Sequence, residues 1–240
     1  MLLLANGCSH TAGAEIEKPR QGHCYEKAWP KLLADKLNYD HINLSESGAS
    51  CDRVYRTTLH QLHVLRRYSE SDPSKIFCIV MWPGMWRTEM FQKEPNEPGF
   101  FDRGWMPMVV GNEESYKKQT SKLGLLNYKS WVSRATLTSE STNYFKNVIG
   151  LQNILVRNKI KYLFLNSCVT IGDVNQHEYI YEVYKKRFFG FMNGQLSYTN
   201  ILQQNNFEFG ENSEYAHYGE DAQEWWADFL FDYLNKNKLL

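Results

Sequence analysis

Ser9 and His217 stand near opposite ends of the chain, and they are the residue types from which a reactive hydroxyl is made. Ser9 lies in Gly7-Cys8-Ser9-His10-Thr11, directly after an apolar N-terminal run, and His217 lies in Glu214-Tyr215-Ala216-His217. A serine hydroxyl is a weak nucleophile at neutral pH. It needs a base within hydrogen-bond reach, and the base needs a third group to orient it. Glu214, three residues before His217, has the spacing for that third role, and Glu211 is a second candidate acid at less favourable spacing. The chain order serine, acid, histidine suits an α/β scaffold whose loops open at the same end of a sheet.

The elements that would hold these residues can be read from the apolar pattern. Leu2–Ala5 is a short buried-strand signal ended by the turn signal Asn6-Gly7. Trp29, Leu32, Leu33 and Leu37 recur at helical spacing within 25–37. His41–Leu44 reads as a second strand, and 45–50 as a small-residue loop around Gly48. Asp52 is placed to cap a helix carrying Val54, Leu59, Leu62 and Leu65. Lys75–Trp82 runs without polar interruption, as a central parallel strand buried on both faces does. Tyr144–Asn158 reads as a helix, Tyr162–Leu165 as a fourth strand, Glu178–Phe189 as helical, and Asp221–Leu234 as a final amphipathic helix. Between Pro83 and about Ser141 the prolines and glycines are dense, so this stretch is expected to be an irregular insertion or to hide elements of its own. Strands alternating with helices predict an α/β fold, a three-layer α/β/α sandwich with a parallel sheet. In such a sheet ligands bind outside the carboxyl ends of the strands. The loops after the strands, carrying Ser9, Gly48 and Arg87, are then where chemistry belongs.

Composition narrows the partners. Lys+Arg and Asp+Glu are equal at 27 each, giving a formal net charge of zero, which argues against nucleic acid and against a polybasic membrane contact. The five cysteines are odd in number and form no CxxC pair, which favours reduced thiols and a cytosolic protein. There is no apolar stretch of spanning length and no secretory signal pattern, so no membrane is expected. The histidines show no convincing metal-ligand spacing, and neither metal nor cofactor is expected. A single domain spanning residues 1–240, with the aromatic-rich insertion at about 84–140, fits this length.

Taken together, the blocks resemble the SGNH/GDSL hydrolase superfamily. Gly7-Cys8-Ser9-His10-Thr11 is similar to its first block, with Cys8 where Asp is usual; Asn43–Ser50, containing Gly48, is similar to the second; Glu214-x-x-His217 is similar to the last. Trp226-Ala227 is similar to an aromatic-Ala pair of the superfamily's closing helix, and Ala28-Trp29-Pro30-x-Leu32-Leu33-Ala34 resembles a subgroup known largely from phage and bacterial sequences of undefined substrate. The third block, normally Gly-x-Asn-Asp, reads Trp82-Pro83-Gly84 here, and Arg87 is the nearest donor that could replace its Asn. The resemblance implies a flavodoxin-like SGNH hydrolase fold and a serine esterase with Ser9, His217 and Glu214 as triad. It implies Ser9 and Gly48 as oxyanion donors, with Arg87, Trp82 and Arg53 contacting a small-molecule or carbohydrate ester. Arg53 and Arg87 equally suit structural ion pairing, and Trp86, Trp105 and Phe101 suit either ring stacking on a sugar or the insertion's own core. Two other functions remain open at this point: an acyltransferase using the same residues, and a catalytically degenerate fold kept for carbohydrate binding or structure.

Overall fold

The segment Ile76–Trp82 (β3) shows how this sequence builds its layers. All seven residues are buried. Because side chains alternate across a strand, Phe77, Ile79 and Met81 enter one core while Cys78, Val80 and Trp82 enter another. The same alternation splits Leu3 from Leu4 in β1 (Leu2–Asn6) and Leu163 from Phe164 in β6 (Lys161–Asn166). With β2 (Asp40–Asn43), these strands form a four-stranded sheet in the order β2-β1-β3-β6, every pair parallel. The protein is therefore an α/β sandwich with a parallel central sheet, and its doubly wound order reverses between β1 and β3. A ligand crevice is expected outside the carboxyl ends of those two strands.

The computed structural model describes residues 1–17, 22–68, 72–91, 105–114, 117, 121–168, 177–191, 193–210 and 216–240. On one face of the sheet lie α2 (Trp29–Leu37) and the last long helix, α7 (Glu220–Lys236), with Trp29, Leu33, Trp226 and Leu230 fully buried. On the other lie α3 (Cys51–Tyr68) and α5 (Leu137–Arg157), which bury Val54, Leu62, Phe145, Val148 and Leu151. Between β1 and α2 sits a single helical turn, α1 (Ser9–Ala12). Each of the five cysteines is a free thiol. No described helix is long and apolar enough to cross a membrane.

One expectation is decided and one corrected. Of the two readings open for the stretch after Pro83, it is hidden elements that the described residues show: an antiparallel hairpin, β4 (Arg87–Phe91) with β5 (Trp105–Val109), and a helix, α4 (Lys122–Val132). Met106, Met108 and Tyr128 give these elements a small core of their own. Residues 178–189 do not form one continuous helix but two short 3₁₀ helices, Glu178–Glu182 and Lys185–Arg187. The cause is Gln152 of α5, which is buried there. Its amide donates to the Glu182 carbonyl and accepts from the Tyr184 N–H, each at 2.8 Å. A helix would need those backbone groups for itself.

Candidate active site

Ser9 is placed by a sharp strand-to-helix turn. Asn6 ends β1 with its side chain wholly buried. Its amide nitrogen lies 3.1 Å from the Val54 carbonyl, 2.8 Å from Thr57 Oγ1 and 2.9 Å from Thr58 Oγ1, while its carbonyl accepts the Gly7 N–H at 2.8 Å. The strand end is thus tied to α3. At the next position only glycine fits, since a Cβ on Gly7 would meet Thr11 Oγ1 at 2.3 Å and the Met81 carbonyl at 3.0 Å. The Cys8 carbonyl accepts from the N–H groups of Thr11 and Ala12, both at 3.0 Å, and Gly13, at φ +68°, ends the turn. Ser9 is the first helical residue and is nearly buried, with 7% of its surface exposed.

His217 comes to the same end of the sheet from the other end of the chain. It precedes Tyr218, which bridges to Phe209, and its carbonyl accepts the Gly210 N–H at 2.8 Å. Its ring lies 5.2 Å, centroid to centroid, from that of His10, the neighbour of Ser9. Among the described residues the carboxylate that meets it is Glu15: Oε2 lies 2.8 Å from His217 Nδ1, and both side chains are close to fully buried. Glu214 and Glu211 lie outside the described residues, as does Phe101. Glu15 is a residue that sequence reasoning missed. The only local signal was a carboxylate just past the Gly13 turn, on the loop that leaves the serine.

Backbone strain accompanies this pair. Glu15 and Ala216 both adopt the left-handed region, at φ 58° and φ 59°. For residues with a Cβ this costs on the order of 1–2 kcal/mol each. One position presents the carboxylate, and the other immediately precedes the histidine.

His10 is neutral in this setting. Burial pushes its imidazole down to about 3, with further lowering from neighbouring His217 and Arg87. Its Nδ1 is buried without a hydrogen-bond partner. Arg87, at the start of β4, also donates to the Ala49 carbonyl at 3.5 Å. It is anchored to the loop after β2, and its positive charge acts on the His10 ring and on the thiols of Cys51 and Cys168. Gly48 precedes Ala49 at φ +73°, a conformation that suits glycine. The expected residues Ser9, His217, Gly48 and Arg87 are thus drawn toward the carboxyl ends of β1, β2 and β3.

The other two expected substrate contacts serve the scaffold. Trp82 is wholly buried, edge-on to Phe164 at 5.4 Å and to Tyr144 at 6.2 Å, so its ring belongs to the core. Arg53 is also buried. It donates to the Leu44 carbonyl at 2.9 Å and lies 3.9 Å from Glu46, bracing the loop that carries Gly48. Trp86 packs against the core on the α3 side, whereas Trp105 stands half-buried on β5.

No curated protein matches the sequence. Among solved structures, the acetyl xylan esterase Est2A from the rumen bacterium Butyrivibrio proteoclasticus aligns with TM-score 0.49 at 13% identity, over 100% of this chain and 64% of its own. A lipolytic protein of the G-D-S-L family from Veillonella parvula aligns with TM-score 0.46 at 13% identity, over 97% of this chain and 98% of its own. TesA aligns with TM-score 0.46 at 14% identity, over the whole of both chains. A protein-family model described as "Family of unknown function (DUF6071)" matches residues 14–239, a span that includes Glu15 and His217, and the chain belongs to that family.

Proposed function

We propose that the protein is a serine esterase of SGNH/GDSL type acting on small O-acyl esters, with Ser9 as nucleophile, His217 as base and Glu15 as the orienting acid. The observation that carries this reading is the 2.8 Å contact between Glu15 Oε2 and His217 Nδ1, beside the turn that holds Ser9 and His10. A carboxylate on Nδ1 fixes the tautomer in which Nε2 takes a proton. In the reaction, Ser9 Oγ attacks the ester carbonyl and its proton passes to His217 Nε2. The tetrahedral oxyanion is met by the N–H groups of Ser9 and Gly48, with the Arg87 guanidinium in the place of the missing Asn. His217 returns the proton to the leaving alcohol. Water, deprotonated by the same histidine, then releases the acid from Ser9. Because His10 stays neutral, the imidazolium formed on His217 has no fixed positive ring beside it.

The test is hydrolysis of p-nitrophenyl acetate by wild type, Ser9→Ala and His217→Ala, purified side by side, with a fluorophosphonate probe in parallel. The expected result is wild-type turnover and covalent labelling, both absent in the Ser9 variant. Absence of both in wild type would sink the esterase reading and favour a binding module on the same fold. Turnover that delivers the acyl group to an added sugar hydroxyl rather than to water would make the protein an acyltransferase.

A further inference from the structure

Beside α3 a cleft of about 550 Å³ opens between α3, α5 and the β4–β5 hairpin. We propose that this cleft binds a neutral saccharide unit, its ring face against tryptophan and its hydroxyls on the polar floor.

The walls supply flat apolar surface at fixed angles. Trp105 is half-buried and held between Phe91, edge-on at 5.5 Å, and the Arg56 guanidinium, 4.8 Å above its ring. Trp131 lies against Tyr128, with ring centroids 6.2 Å apart. Tyr55 of α3 completes the aromatic lining. Rings already fixed by partners lose little freedom when a ligand stacks on them.

Both cations of the cleft are paired with carboxylates, and a third carboxyl, Glu140, stands beside them. Arg56 makes a two-point contact with Glu89, at 2.8 and 2.9 Å, and Glu89 is 4% exposed. Asp52 accepts from Thr88, Asn143 and Asn147, each at 3.0 Å, and lies 3.5 Å from the Lys146 ammonium. Glu140 is buried, and that burial, with nearby Asp52 adding to it, raises its carboxyl above the ordinary range. A site whose cations are both engaged offers little to an anion. It offers much to a ligand that is neutral, has a flat apolar face and carries several hydroxyls, because carboxylates, guanidinium and amide groups have acceptor and donor capacity beyond one partner each. A sugar ring has that combination.

Binding does not require the ester chemistry proposed above, and the test keeps the two apart. Xylotetraose, cellotetraose and chitotetraose, none of which carries an ester, are titrated by calorimetry into the full chain at low-millimolar concentration. At least one is expected to bind with one-to-one stoichiometry and to shift the tryptophan fluorescence. Its affinity should fall about tenfold or more in Trp131→Ala, as loss of a stacked ring implies, and should be largely restored in Trp131→Phe. Asn143→Ala, a change at the half-buried rim, provides a second test should Trp131→Ala lower the melting temperature, and a loss of several-fold is expected. Binding by none of the three sugars overturns the proposal. So does binding that is indifferent to Trp131→Ala in a variant that melts like wild type, or to Asn143→Ala. A failure of p-nitrophenyl acetate hydrolysis would leave a positive binding result standing.

Discussion

Around His217 the backbone is bent into the left-handed region at Glu15 and Ala216, and the adjoining His10 ring keeps a buried nitrogen without a partner. In the cleft beside α3, Arg56 is forked onto Glu89, Asp52 accepts three hydrogen bonds, and Trp105 is held between Phe91 and Arg56. One region stores unfavourable energy in conformation and desolvation. The other pairs its two cations with carboxylates and keeps one more buried carboxyl, Glu140, beside them. Stored strain of this kind persists only where surrounding structure over-determines it, and it gathers where chemistry is done. Satisfied networks with rigid rings suit recognition instead.

The contrast can be broken by substitution, most severely at the end-loop pair. Glu15→Gln keeps the shape but removes the charge that fixes His217, and kcat/KM for p-nitrophenyl acetate should drop by about 10⁴. Retained activity in that variant would return the acid role to Glu214. Gly7→Ala places a methyl group against Thr11 Oγ1 and the Met81 carbonyl. It should lower stability by about 1–3 kcal/mol, read from the urea midpoint. Glu89→Gln in the cleft leaves Arg56 without its carboxylate and should cost a similar or smaller amount, about 1–2 kcal/mol by the same assay.

A pH titration sharpens the comparison further. His10 is held at about 3 when folded, against an ordinary value of 6.5. Between those limits the unfolded chain binds a proton that the folded chain does not. Stability therefore rises with pH across this window and is lost as pH falls from 6.5 towards 3, at up to about 1.4 kcal/mol per pH unit. In His10→Phe the unfolding free energy, followed by urea titration from neutral pH downward, should fall less steeply. The smallest effect is expected from Ala216→Gly, which relieves the left-handed strain but loosens the unfolded chain. The net gain should be about 0.5–1 kcal/mol in thermal melts, with slower ester turnover because His217 is held less firmly.

The legibility of the molecule in its sequence follows the range of the forces involved. β3 and β6 could be read because a strand buried on both faces must be continuously apolar, and Ile76–Trp82 and Tyr162–Leu165 are. The strand-end glycine and serine were legible because a tight turn constrains residue type locally. Residues 178–189 misled because their helical spacing is local, whereas the Gln152 amide that diverts their backbone comes from another helix. Glu15 was missed for the same reason: nothing in its own segment marks it as the partner of a histidine at the far end of the chain. The hairpin was obscured by Pro107, which sits within β5 opposite Glu89. A two-stranded ribbon is all edge and tolerates a proline there.

The contact between Glu15 and His217 spans 202 positions of sequence. The turn that carries Ser9 is tied to α3 through Asn6 across only 48 positions, so it closes a far shorter loop than the Glu15–His217 contact does. In the proposed esterase the serine would therefore be in place before its base, and the site would be completed only by the last and longest closure.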